Sequence, residues 1–131
     1  MNKNQHDINE WIRFAQMDYD CALKMAETFH PVPIEIICYH CQQSAEKILK
    51  AYTIAKGNIL TKTHDLDVLL DQCKQYSPEF SKFSNISAAL TSYAAVSRYP
   101  PVIELTEQDM KQALKSACTI LEFTKSKLME K

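Results

Sequence analysis

The chain has 131 residues and a hydrophobic fraction of 46%, the size and composition of one ordinary globular domain with a single core, so a second domain is not expected. Its net charge of −1, with both signs interspersed, excludes a whole-molecule field that would draw in nucleic acid or an anionic membrane; any such contact must be local. A single glycine leaves almost nothing for the positive-φ turns that hairpins favour, which argues for helices throughout.

Apolar residues recur at three- and four-residue steps from Ile8 through Trp11, Ile12, Ala15, Tyr19, Ala22, Met25, Ala26 and Phe29, until Pro31 and Pro33 stop the pattern. This predicts a long first helix. The spacing resumes in Ile34, Ile37, Cys38, Cys41, Ala45, Ile48, Leu49 and Tyr52, and Gly57 stands where a C-terminal cap belongs. Thr63 reads as the N-cap of a short third helix, with Asp65 and Asp67 near its positive end and Leu66, Leu69, Leu70 and Cys73 on its apolar face. That helix is expected to end near Ser77 and Pro78. Phe80, Phe83, Ile86, Leu90, Tyr93 and Ala94 predict a fourth helix, closed by Pro100 and Pro101, whose Ser87, Ala88, Ala94 and Ala95 would admit a close neighbour. Thr106 with Asp109 resembles a capping box ahead of Met110, Ala113, Leu114, Ala117, Ile120 and Leu121. The expected fold is all-α: one domain over residues 1–131, an up-and-down helical bundle of four main helices plus a short extra helix.

The stretch CYHCQQ raises the question of a metal or redox site, but Cys38 and Cys41 both fall on the apolar stripe of the second helix. Structural zinc wants four ligands, and no second pair at comparable spacing exists in the chain. A thioredoxin-like pair would open a helix beside a strand, and haem attachment would require histidine where Gln42 stands. The two thiols therefore read as small core hydrophobes, with neither metal nor cofactor expected. The five cysteines are odd in number, and MNKNQHDINEW lacks the apolar core of a signal peptide. No apolar run approaches the roughly 20 residues that span a bilayer, so reduced thiols and a cytoplasmic location without membrane contact are expected.

Opposite the core stripe, the second helix carries Ile36, Tyr39, Gln43, Lys47, Lys50 and Ile54. A purely solvated face would not need Ile36, Tyr39 and Ile54. Either this helix is central and touches two neighbours within one molecule, or the three apolar residues form a partner interface.

YHCQQSAEKILKAYTIAKG from Tyr39, KTHDLDVLL from Lys62 and SYAAVSRYP from Ser92, in this order and spacing, resemble the HEPN family (higher eukaryotes and prokaryotes nucleotide-binding). AQMDYDCALKM and the closing helix extend the resemblance over nearly the whole chain. It implies a compact helical bundle, commonly a homodimer, often encoded beside a minimal nucleotidyltransferase in a two-component, toxin-antitoxin-like module. Many relatives are toxin-like ribonucleases whose signature is an arginine followed after four to six residues by a histidine. Arg98 matches the arginine, but RYPPVIELTE contains no histidine, and the last one in the chain is His64. Cleavage through a 2′-hydroxyl needs proton transfer, for which histidine is best matched near neutral pH. The chain is thus expected in the branch without that signature, with RNA not its substrate.

The candidate nucleotide or phosphate residues are Lys47, Lys50, Arg98, Tyr99, Gln43, Glu46, His40 and His64. Each has an ordinary structural reading: Arg98 as a helix-dipole partner, the lysines as solvated surface, Glu46 as the i,i+4 mate of Lys50, His64 as a first-turn residue. Together, Lys47, Lys50 and Arg98 would cradle a phosphate if the second and fourth helices converge. A nucleotide-binding or interaction module, a divergent nuclease using His40 or His64, and a bundle serving only dimerisation are the three functions left open.

Overall fold

A computed structural model of the chain describes residues 3–94 and 104–130. The described residues form α1 (Lys3–Thr28), α2 (Ile34–Ala55), α3 (Leu66–Lys74), α4 (Ser84–Thr91) and α5 (Glu107–Met129), with no strand among them. The short α1–α2 connection makes these helices antiparallel neighbours. α2 packs against α1, α3 and α5, which makes it the centre of the bundle.

Small residues decide how closely α1 approaches α2. Ala15 and Ala22 are fully buried, and the Ser44 hydroxyl donates across the contact to the Ala15 carbonyl at 2.8 Å. Cys38 and Cys41 lie in the core as their stripe requires. At the end of α2, Gly57 adopts φ +94°, its N–H donates to the Ile54 carbonyl and the Asn58 N–H to that of Thr53. This pair of bonds is a Schellman motif, and its left-handed position is where glycine avoids a Cβ penalty. α5 begins with the expected capping box, Thr106 and Asp109 each accepting from the other's backbone N–H. Beside its distal half, Phe80 is packed between Tyr52 and Phe123 at centroid distances of 4.9 and 5.1 Å, tying the segment before α4 to α2 and α5.

The elements differ from the sequence pattern in four places. The fourth helix is shorter than its periodicity predicts: Pro78–Phe83 and Ser92–Ala94 are 3₁₀ turns on either side of α4. Ser84 and Ser92 bond their hydroxyls to nearby carbonyls there, offering the backbone local alternatives to a continuous helix. α3 is capped by Asp65, whose carboxylate accepts from the Asp67 N–H, while Thr63 accepts from the Asp65 N–H one step earlier. Phe29 lies just beyond α1 and is exposed. Lys50 and Ile54, expected on an outward face, are 5% and 9% exposed, because α2 is enclosed over a wider arc than one stripe. Ile54 is therefore removed from the expected interface patch, whereas Ile36 stays exposed and Tyr39 is half-buried. Ala95, Arg98, Tyr99, Pro100 and Pro101 lie outside the described residues.

Candidate functional site

The outer side of α2 carries two ionic clusters, produced by residues that recur at three- and four-residue steps along the helix. The first is buried except at His64, whose side chain is 58% exposed. Glu46, its side chain 4% exposed, accepts from Lys50 Nζ at 2.9 Å through Oε2. Its Oε1 accepts from His64 Nδ1 at 2.9 Å and from Gln42 Nε2 at 3.2 Å. Gln42, also fully buried, donates to the His64 carbonyl as well, and its own oxygen accepts from Gln43. Lys50 Nζ stands 5.6 Å from the Trp11 ring centroid, over a face that attracts cations.

The second cluster joins α1 to α2. Asp18 accepts from His40 Nδ1 at 2.9 Å through one oxygen and from Lys47 Nζ at 2.6 Å through the other. Burial alone would push the Asp18 carboxyl up. Hydrogen bonds from His40 and Lys47, with the charge of both, outweigh that effect and hold it below its ordinary value of 3.8.

Beside these clusters runs a groove of about 320 Å³ lined by Asp7, Glu10, Trp11, Phe14 and Lys47. Glu10 is occupied by Arg13, whose guanidinium also lies 4.6 Å from the Phe14 ring centroid. The groove thus combines aromatic surface, carboxylates and one lysine that still has donors to offer, since an ammonium carries three and Asp18 takes one.

The fold brings His40, Gln43, Glu46, Lys47, Lys50 and His64 together along one side of α2, but it occupies most of them with one another. Lys47 is held by Asp18, and Lys50 is both paired and buried, so a phosphate would find neither lysine unpaired. Arg98 and Tyr99 fall outside the described residues. The roles of Gln42, Asp18, Asp7, Glu10, Trp11 and Phe14 were not legible from spacing. Trp11 reads as core, and Asp18 is 22 residues from His40 with no periodic link between them. Among the described residues, no three His, Cys, Asp or Glu side chains group to hold a metal ion, and no helix is long and apolar enough to cross a membrane.

A helical bundle whose central helix carries a continuous polar seam is the class of protein these observations define. The HEPN domain model matches residues 8–128, and the chain belongs to the HEPN family. The crystal structure of ST0689, an archaeal HEPN homologue, matches with a TM-score of 0.73 at 24% identity, covering 98% of this chain and 99% of its own. The crystal structure of TT1696 from Thermus thermophilus matches with a TM-score of 0.73 at 20% identity, covering 97% and 99%. Both likenesses are of fold. No curated protein sequence matches the chain.

Removing Glu46 would leave the Lys50 ammonium, 7% exposed, without its counter-charge. Glu46→Ala is expected to cost about 3–5 kcal/mol in urea unfolding, and adding Lys50→Met should recover a large part of it. A loss below about 1 kcal/mol would mean that the pair is solvated.

The Asp18 cluster gives a pH dependence of known sign. A carboxyl depressed in the folded state stabilises above its unfolded value, near 3.8, and loses that contribution as the pH falls through the folded value. Asp18→Asn should therefore lower stability by about 1–3 kcal/mol at neutral pH. The gap from the unsubstituted protein should close as the medium is acidified below 3.8; a gap independent of pH would contradict the assignment.

Proposed function

We propose that this HEPN protein is a non-catalytic binding module that holds a nucleotide beside α2, dimerises, and acts in the cytoplasm with a minimal nucleotidyltransferase in a two-component, toxin-antitoxin-like pair. The observation that carries the non-catalytic part is the sequence after Arg98. The positions where the family's ribonuclease signature requires histidine are Ile103, Glu104 and Leu105. None of these side chains transfers a proton near neutral pH in the way an imidazole does. The nucleotide part rests on the groove beside Lys47, with Gln43 on the same side of α2 and Arg98 as the further cation that this reading uses. Lys50 Nζ lies over the Trp11 ring that lines this groove, and Glu46 holds both Lys50 and His64. Five free thiols suit a reducing compartment.

A second reading, a divergent ribonuclease, has one observation in its favour. His40 and His64 each present Nδ1 to a carboxylate at 2.9 Å, an arrangement that orients an imidazole for acid–base work. Incubation with structured and single-stranded RNA is expected to give no cleavage by the unsubstituted protein. Turnover that disappears in His40→Ala or His64→Ala would establish the second reading in its place.

Dimerisation rests on Ile36, 39% exposed, with the half-buried Tyr39 one turn along α2. Twofold pairing is the commonest closed assembly, and covering apolar surface is its usual driving force. Sedimentation is expected to show a dimer. Replacing Ile36 and Tyr39 together by glutamate should shift it to monomer with helicity intact, since neither belongs to the buried cluster of the core. A double variant that remains dimeric would place the interface elsewhere.

A further inference from the structure

The groove between α1 and α2 has a composition that selects among nucleotides, and the inference drawn from it rests on the nucleotide-binding reading above. Asp7 lines it with no hydrogen-bond or ion-pair partner among the described residues, whereas the other lining carboxylate, Glu10, is engaged by Arg13 at 2.8 Å. An ionised carboxylate only accepts, and its two oxygens match a planar group presenting two parallel N–H donors. Trp11 and Phe14 supply aromatic faces on which a planar ring can stack, and Phe14 is 44% exposed. Lys47 supplies the positive end.

We propose that this groove is the base pocket of the module and that it takes a guanine: the ring stacks against Phe14 and Trp11, its N1–H and exocyclic N2–H donate to Asp7, and its phosphate lies toward Lys47. Donor geometry decides the choice of base. Adenine offers one amine beside a ring nitrogen that accepts, so its edge sets a lone pair against the carboxylate. Hypoxanthine keeps N1–H but lacks the amine. Guanine alone among these purines presents both donors side by side. Electrostatics fixes the direction of the ligand, because a phosphate is repelled by Asp7 and attracted by the Lys47 ammonium, whose remaining donors are not used by Asp18. Two cations lie against the Phe14 ring: Lys47 Nζ, 5.6 Å from its centroid, marks the phosphate end, and Arg13, at 4.6 Å, is a surface side chain, 56% exposed, whose pair with Glu10 is of the weak, solvated kind and yields readily to a stacking ring.

Trp11 is the only tryptophan in the chain, so its fluorescence reports on this groove without labelling. GMP, IMP and AMP are to be compared by equilibrium dialysis, which detects binding anywhere on the protein, and by Trp11 quenching, which detects binding here. GMP is expected to quench Trp11 and to bind about tenfold more tightly than IMP, the worth of one hydrogen bond to a charged acceptor. Asp7→Asn should bring the GMP-to-IMP ratio close to one, and Phe14→Ala should weaken both about tenfold through lost stacking. Phe14→Leu and circular dichroism of each variant separate a lost contact from a lost fold. If dialysis shows nucleotide retained while Trp11 is silent and Asp7→Asn changes nothing, the base pocket is overturned and the nucleotide-binding reading stands. Equal affinity for GMP and IMP, or a preference for AMP, overturns the guanine assignment. If none of the three is retained by dialysis, the nucleotide-binding reading falls and this proposal with it.

Discussion

A helix enclosed by its neighbours has to satisfy inside the protein every polar side chain that it buries, and α2 meets that constraint at Glu46. The carboxylate oxygens are shared among Lys50, His64 and Gln42, so the buried anion, the buried cation and the buried amide neutralise or satisfy one another. One of these partners also fixes a neighbouring segment. Gln42 holds the His64 carbonyl directly ahead of the Asp65 cap, which sets where α3 begins relative to α2. On the other flank, Asp18 and the Ser44 bond to the Ala15 carbonyl do the same for α1. The polar seam is thus part of the scaffold, and a groove built on its edge inherits that rigidity.

Much of this fold was legible in the residues because helical periodicity and capping act locally. The Thr106–Asp109 box, the Gly57 turn and the placement of Cys38 and Cys41 all follow from spacing and from backbone demands within a few residues. Three kinds of feature did not follow. A stripe in a sequence gives the direction of burial but not its angular width, which depends on how many helices surround the one in question, and so Lys50 and Ile54 turned out enclosed. Pairings between helices, such as Asp18 with His40, depend on how far one helix slides along another, and nothing in the order of residues along either helix carries that information. Serine hydroxyls competing for backbone around α4 shortened a helix whose apolar rhythm was continuous.

Membership of the HEPN family supplies the frame, and the chemistry has to come from this chain's own side chains. Identities of 24% and 20% to the solved relatives carry a common path of the backbone and no more. On that path the two histidines of α2 and the α3 approach face carboxylates, and the lysines beside them are partnered. Among the described residues, what remains unpartnered at the edge of the seam is an acceptor, Asp7, next to the exposed Phe14 ring. The scaffold thus pairs Lys47 and Lys50 internally and keeps a carboxylate at its edge.

The thiols illustrate how the same packing governs reactivity. Burial pushes the Cys38 and Cys73 thiols up to about 12 and raises that of Cys41 as well, so at neutral pH almost none of the three exists as the thiolate that attacks electrophiles or oxidants. Cys21, by contrast, is exposed on α1, and Cys118 is partly covered on α5. Oxidants and alkylating reagents therefore meet a protein whose interior sulfur is chemically silent while the fold persists. Among the cysteines, the one within reach of such reagents is Cys21 on the outer surface of α1, and the core thiols become reactive only in molecules that have already opened.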